Sequence, residues 1–220
     1  MTAGVTESIF TAWPVVAATI TVTGGFVVVI LTHYFTRKRE HQMFEVKRLR
    51  EKEDAEEKRL TEFRFICSTL IFRLEAFAQG CADVAQDSGK SNGGKFTANY
   101  LYPGISFSDV DGDWKSLPSR LLYHVLELPV LCQDAVLRID GETEHCIFNP
   151  LEHHSAWEVR QKYYAELGTR ACELAIELRR LSGFPESDLA SGEWSAMSVL
   201  SKVILRENDK KRREESDTEI

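Results

Sequence analysis

The stretch WPVVAATITVTGGFVVVILTHYF, Trp13 to Phe35, decides the fold of this chain. It contains no Asp, Glu, Lys or Arg over 23 consecutive positions. With a rise of about 1.5 Å per residue, a helix of this length crosses the roughly 30 Å hydrocarbon core of a bilayer. The sequence therefore predicts a transmembrane helix over residues 13–36, preceded by a short segment, residues 1–12.

The residues that flank this segment predict its orientation. Aromatic residues at both ends favour the bilayer interface, and Pro14 suits a first helical turn because its nitrogen carries no hydrogen. A basic cluster follows at once, and positive charge beside a span is retained in the cytosol. We expect a cell-membrane protein with an extracytoplasmic N-terminus and a cytoplasmic C-terminal domain. The cluster consists of Arg37, Lys38 and Arg39.

Small residues recur every four positions within the predicted span, at Ala17, Thr21 and Gly25. Such residues let two membrane helices approach closely, so this face predicts helix association and a homo-oligomer. An alternative hypothesis is a membrane effector, in which the cytosolic domain controls the assembly of spans into a pore through this face.

Residues 37–62 contain nine basic and eight acidic side chains and neither Gly nor Pro. This composition predicts a charged helical stalk next to the membrane. The basic beginning of the stalk could also contact anionic lipid headgroups.

The charge of the remaining chain argues against nucleic-acid binding. The whole chain carries a net charge of -7. Residues 1–36 contribute -1 and residues 37–62 contribute +1, so the acidic excess lies in the rest of the chain. Binding to phosphate backbones depends on clustered Lys and Arg. The five cysteines form no paired motif, and four of them fit helix cores.

A heptad pattern after the stalk predicts a helical bundle, with a coiled coil as the alternative. Asp87 to Lys95 is a polar break, and Phe96 to Val110 predicts a short hairpin that turns at Pro103 and Gly104. As an alternative, Tyr100, Tyr102 and Phe107 of this segment form a lid over the bundle. The apolar positions of the heptad are Leu60, Phe63, Cys67, Leu70, Leu74, Phe77, Cys81 and Val84.

Three further helices are expected. One spans 116–139, is interrupted at Pro129 and is ended by Asp140 and Gly141. Its inward-facing residues are expected to be Leu121, Leu122, Val125 and Leu126. The next runs from the capping residue Ser155 to Ser182; Gly183 ends it in the left-handed conformation and Pro185 prevents its continuation. Its small residues Gly168, Cys172 and Ala175 predict a close contact with another helix. The last covers 193–206, and residues 207–220 are polar enough to predict a disordered tail.

Two motif-like stretches fail in detail. Gly89, Lys90 and Ser91 lack the earlier glycine and the preceding strand of a phosphate-binding loop. The three aspartates at 109, 111 and 113 lack the glycine and the glutamate that an EF-hand loop requires.

One loop contains a dense set of potential metal ligands. A metal-dependent enzyme that uses this loop is an alternative hypothesis, because zinc binds imidazole and thiolate and activates water. The spacing matches no metal motif, so a polar loop is favoured. The ligand candidates are His145, Cys146, His153 and His154, accompanied by Glu142, Glu144 and Glu152.

The sequence thus predicts a mainly α fold: an N-terminal transmembrane helix, a charged helical stalk and a cytosolic antiparallel helical bundle at 63–206 with a short hairpin. The favoured function is a single-pass membrane-anchored module for protein interaction or oligomerisation, with neither catalytic activity nor a cofactor. The expected partners are the lipid bilayer and a second copy of the chain, or another membrane or cytosolic protein.

Overall fold

A computed structural model describes the backbone of residues 7–92, 95–144, 153–187, 192 and 195–218. Within these ranges it describes the side chains from Leu31 onward, except at 91–92, 95–96, 153–154, 214 and 217–218. Four α-helices dominate: α1 (Glu7–Ala85), α2 (Ser119–Thr143), α3 (His153–Ser182) and α4 (Ala196–Thr218). A 3-10 helix covers Trp114–Ser116, and two short strands are β1 (Lys90–Asn92) and β2 (Lys95–Thr97).

The chain divides into two units, Met1–Lys58 and Arg59–Ile220. We call the second one the helical unit. Helix α1 passes through the boundary, so the predicted span, stalk and first bundle helix belong to one continuous helix of 79 residues. Because α1 begins at Glu7, the prediction that Pro14 occupies its first turn is wrong.

Helix α1 is long and apolar enough to span a membrane. Between Leu31 and Ala85 it contains an 18-residue window with a mean hydropathy of 1.2, of which 56% is buried. The charge-poor part of this range is 65–82, where Arg73 and Glu75 are the only charged residues. This window therefore belongs to the core of the helical unit. Trp13 to Phe35 also lies in α1, and its role as a span stays a prediction.

Helix α3 contacts each of the other three helices of the helical unit. Arg179 pairs with Glu75 of α1 at 2.8 Å, and Arg160 pairs with Asp87, two residues after the end of α1, at 3.0 Å, so α1 and α3 run in opposite directions. Helix α3 is also antiparallel to α2 and α4, because residues later in α3 contact residues earlier in those two helices. These contacts are Tyr163 with Glu142, Arg170 with Glu127, Glu158 with Lys210, and Gln161 with Arg206.

Helix α3 passes close to both α1 and α4 at Gly168. A Cβ atom at this position would lie 2.7 Å from Cβ of Cys81 in α1 and 2.9 Å from the methyl groups of Leu200 in α4. Only glycine fits such a distance without displacing a neighbour. The sequence predicts a small contact surface at Gly168, Cys172 and Ala175, and the burial of Cys172 and Ala175 confirms it.

The core is apolar and contains the buried cysteines. Helix α1 contributes Leu70 and Leu74, both fully buried, and the predicted inward positions Leu121 and Val125 of α2 are buried as well. Four cysteines are free and buried, which confirms their prediction as core residues. They are Cys67, Cys81, Cys132 and Cys172.

The region between α1 and α2 differs from the prediction. The antiparallel strand pair joins Lys90 to Thr97 and Asn92 to Lys95, so it begins within the predicted polar break and ends two residues after it. The expected hairpin at Phe96 to Val110, with its turn at Pro103, is therefore wrong. The apolar residues of this segment alternate as in a strand, but most of the segment is irregular. We call Phe96 to Val110 the strap.

Helix α2 is longer and more regular than predicted. It continues through Pro129 and past Asp140 and Gly141 to Thr143. The expected interruption and end are therefore wrong. The predicted inward residue Leu126 is 50% exposed.

The structure confirms the predicted C-terminal cap of α3 and corrects its predicted start. Gly183 has a φ of 72°, and the amide of Phe184 donates to the carbonyl of Arg179 at 3.0 Å, which confirms the predicted left-handed cap. Helix α3 begins at His153, before the predicted cap Ser155.

Helix α4 corrects both ends of the predicted last helix. It begins at Ala196, where Ser195 Oγ accepts from the amide of Ser198 at 3.2 Å. It then continues to Thr218, so the predicted disordered tail at 207–220 is wrong over most of its length. Lys, Arg and Glu have high helix propensity, and ion pairs such as Arg212 with Asp209 add to it.

Candidate interaction surface

Helix α2 presents apolar side chains on a second face, away from the core. Tyr123, Leu126, Val130 and Leu137 are 50–71% exposed and follow the 3, 4 and 7 residue spacing of one helical face. We call these four residues the α2 outer face. Exposed apolar residues are common one at a time, whereas a stripe along one helix is typical of a binding site.

An apolar groove adjoins this face. Leu122, Leu126 and Pro129 form one wall, and Phe107 of the strap and Trp114 of the 3-10 helix form the other. The groove has a volume of about 490 Å³. The rings of Phe107 and Trp114 meet edge to face at 6.3 Å. Leu126 belongs to both features, so the α2 outer face and the groove form one continuous surface.

The strap is held in place by an ion pair with α1. Arg73 donates to the two carboxylate oxygens of Asp109 at 2.8 and 2.6 Å and to the carbonyl of Ser106 at 2.9 Å. Asp113 caps the 3-10 helix by accepting from the amide of Lys115 at 3.0 Å. Two of the three aspartates that resemble a calcium loop therefore have structural partners.

The chain segment that contains α2 and the 3-10 helix has an acidic excess, part of which Arg73 and Arg170 neutralise at Asp109 and Glu127. Residues 109–144 contain eight acidic and three basic side chains. Arg120 and Arg138 are exposed on α2, and Arg138 pairs with Asp134 at 2.6 Å. An occupant with basic flanks would be favoured by the remaining negative charge.

A polar cleft lies between α2 and α3, and Tyr123 of the α2 outer face borders it. Glu127 accepts from the hydroxyl of Tyr123 at 3.1 Å, and it lies 3.4 Å from His124 Nδ1 and 3.8 Å from Arg170. The cleft has a volume of about 440 Å³. Glu127 thus pairs with groups of both helices, which is typical of an inter-helix contact.

Asp87 is the most densely bonded buried carboxylate in the described part of the chain. Its side chain is completely buried. It accepts from the amides of Gly89, Asn99 and Tyr100 at 2.9–3.1 Å, from the Asn99 side chain at 2.7 Å and from Arg160 at 3.0 Å. Burial raises the pKa of Asp87, but the hydrogen bonds outweigh it and lower the pKa to about 2.

Arg160 is enclosed by aromatic rings. Its guanidinium lies 4.8 Å from the ring centre of Trp157 and 5.1 Å from that of Tyr102, and it also donates to the carbonyl of Tyr100. Tyr102 in turn stacks on Tyr164 at 4.8 Å. The Asp87–Arg160 pair therefore ties α1 and the strap to α3, which is a structural role.

The buried cysteines are poor nucleophiles. Burial raises the pKa of Cys67, Cys132 and Cys172 to about 11 and raises that of Cys81 further. Thiols with such pKa values stay protonated at neutral pH, and the thiolate is the reactive form.

The structure places the sequence-predicted membrane residues on α1. Arg37, Lys38 and Arg39 are exposed there. Ala17, Thr21 and Gly25 are also helical, but their side chains lie outside the described residues. Helix association through this face, and the pore hypothesis that depends on it, stay predictions.

The predicted metal loop lies largely outside the described residues. His145 and Cys146 are not among them, and His153 and His154 begin α3 with undescribed side chains. Among the side chains that are described, no group of three His, Cys, Asp or Glu could hold a metal ion. The metal-dependent enzyme therefore stays a hypothesis.

Comparison of the chain with models of known protein families, with curated proteins and with solved structures gives no significant match.

Sequence reasoning missed both the Asp87–Arg160 pair and the α2 outer face. The pair joins residues 73 positions apart, a separation that local patterns do not reveal. The sequence does contain a signal for the α2 outer face, because α2 has more apolar residues than a single buried face of a helix can hold.

Proposed function

We propose that this protein is a single-pass membrane protein whose cytosolic antiparallel helical bundle binds another protein. The uncharged segment Trp13 to Phe35 is the span, with the N-terminus outside and the helical unit in the cytosol. The basic cluster at 37–39 supports this orientation. The function is non-enzymatic recruitment or assembly at the membrane.

The observation that supports binding is the α2 outer face. Four apolar side chains at helical spacing are at least half exposed, next to an apolar groove of about 490 Å³. An amphipathic helix from a partner protein matches such a surface in shape, and basic flanks on that helix would complement the acidic surroundings.

Site-specific photo-crosslinking in native membranes tests this proposal. A photoreactive residue replaces Val130, which is 62% exposed on the α2 outer face. The matched control carries the same residue at Leu205, which is 60% exposed on α4. We expect a discrete crosslinked protein for the first variant, which Leu126→Lys abolishes. Identical products at both positions would contradict the proposal.

Membrane anchoring is tested separately. An Arg at the centre of a span costs about 2.5–3.5 kcal/mol on insertion scales. Wild-type protein should stay with the membrane during alkaline extraction, and Val27→Arg should release a large fraction of it. Extraction of the wild-type protein into the soluble phase would contradict the predicted span.

A further inference from the structure

The heptad seam of α1 continues upstream of the helical unit. Counting back from Leu60 at position a, the same register places Val46 at a and Phe35 and Leu49 at d. These three side chains are 46–63% exposed. Downstream, the same seam is buried from Cys67 to Val84. The chain itself therefore covers one part of the seam in the helical unit and leaves the other part exposed.

We infer that a second copy of this chain covers the exposed seam, so that residues 35–52 of two copies form a parallel coiled coil. The inference rests on the proposed membrane anchor. Two copies anchored by the same segment in one bilayer enter the cytosol in the same direction and at the same height. Their seams therefore meet in parallel and in register.

The charges beside the seam fit this arrangement. In a parallel pair, position g of one helix meets position e five residues later in the other. Glu45 occupies g and Arg50 occupies e, so Glu45 of each copy meets Arg50 of the other. Within the described part of the chain, neither Glu45 nor Arg50 forms an ion pair.

The polar residues of the seam limit its extent. Glu53 at a and Glu56 at d would face their own copies, so the apolar seam ends at Leu49. Gln42 at d and Arg39 at a lie within it, and both lower its stability; Arg39 would also face its own copy, at the membrane end of the seam. Towards the span, the same count places Thr21 at d and Gly25 at a. Two of the three residues predicted to associate within the membrane thus continue the register.

Charge reversal tests the pairing. Full-length chains fused at the C-terminus to donor or acceptor fluorescent proteins are mixed in liposomes, and energy transfer is followed as lipid dilutes the protein. Glu45→Arg alone and Arg50→Glu alone should each weaken self-association about tenfold, because two attractive contacts become repulsive. The double variant restores opposite charges and should return to within about twofold of wild type.

Arg48→Glu is the matched control, because it changes charge identically at position c, outside the interface. It should leave self-association unchanged. A double variant no better than the single variants, equal weakening by Arg48→Glu, or a monomeric wild type would each overturn the inference. Alkaline extraction of the same variants separates the two proposals. Loss of the anchor releases protein from the membrane, whereas loss of pairing leaves membrane-bound monomers.

Discussion

The two parts of α1 carry one heptad register but differ in what covers them. In the helical unit, Leu70 at position d is fully buried. In the first unit, Met1–Lys58, Leu49 at the same heptad position is 59% exposed. The difference shows that the period of a sequence specifies which face is apolar, whereas burial depends on whether the fold supplies a partner for that face.

The largest expected effect concerns the buried ion pair between Asp87, just after the end of α1, and Arg160 of α3. Asp87→Ala leaves Arg160 buried without its carboxylate, and breaking such a pair costs about 3–5 kcal/mol. We expect the urea midpoint of the helical unit to fall accordingly, measured by circular dichroism of the full-length protein in detergent. An unchanged midpoint would show that the pair does not hold α1 in place.

Truncation of one seam leucine in each part of α1 tests the comparison between the covered and exposed parts. Leu70→Ala should lower the free energy of unfolding by about 2–5 kcal/mol because it opens a cavity in the core. Leu49→Ala should change it by less than about 0.5 kcal/mol in the same assay. It should instead weaken self-association in liposomes. Similar losses of stability at the two positions would remove the distinction between the covered and exposed parts.

Acid should lower the stability of the helical unit through protonation of Asp87. The pKa of Asp87 is lowered to about 2 in the folded protein, below its ordinary value of 3.8. Its stabilisation is therefore present above about pH 4 and is lost as the pH falls towards 2, by about 2 kcal/mol in total. Urea midpoints of wild type and Asp87→Asn should converge over this range. A difference that stays constant with pH would contradict the assigned pKa.

The smallest effect on stability is expected at the α2 outer face. Val130→Lys should change the free energy of unfolding by less than about 0.5 kcal/mol, because the side chain is already 62% exposed. Thermal unfolding followed by circular dichroism measures this change. A large destabilisation would mean that the face supports the fold rather than a partner.

Local signals in the sequence predicted much of the fold. The apolar period identified the covered seam of α1, and Gly183 followed by Pro185 located the end of α3. Tertiary contacts decide most of the rest. Leu126 fits an inward stripe by spacing alone, yet the fold leaves it beside an open groove. Asp87 and Arg160 become partners only once α1 and α3 pack together, so neither residue stood out in the chain.

The most direct test of the central claim, that a second copy covers the exposed seam of α1, is a cysteine scan of residues 42–52 in the membrane-bound protein. Single cysteines are introduced one at a time, and disulfide formation between copies is measured under mild oxidation, with the native chain as the background control. The account predicts maxima at Gln42, Val46 and Leu49 and minima at Lys47, Arg48 and Glu51. Uniform crosslinking along the segment, or maxima on the opposite face, would contradict it.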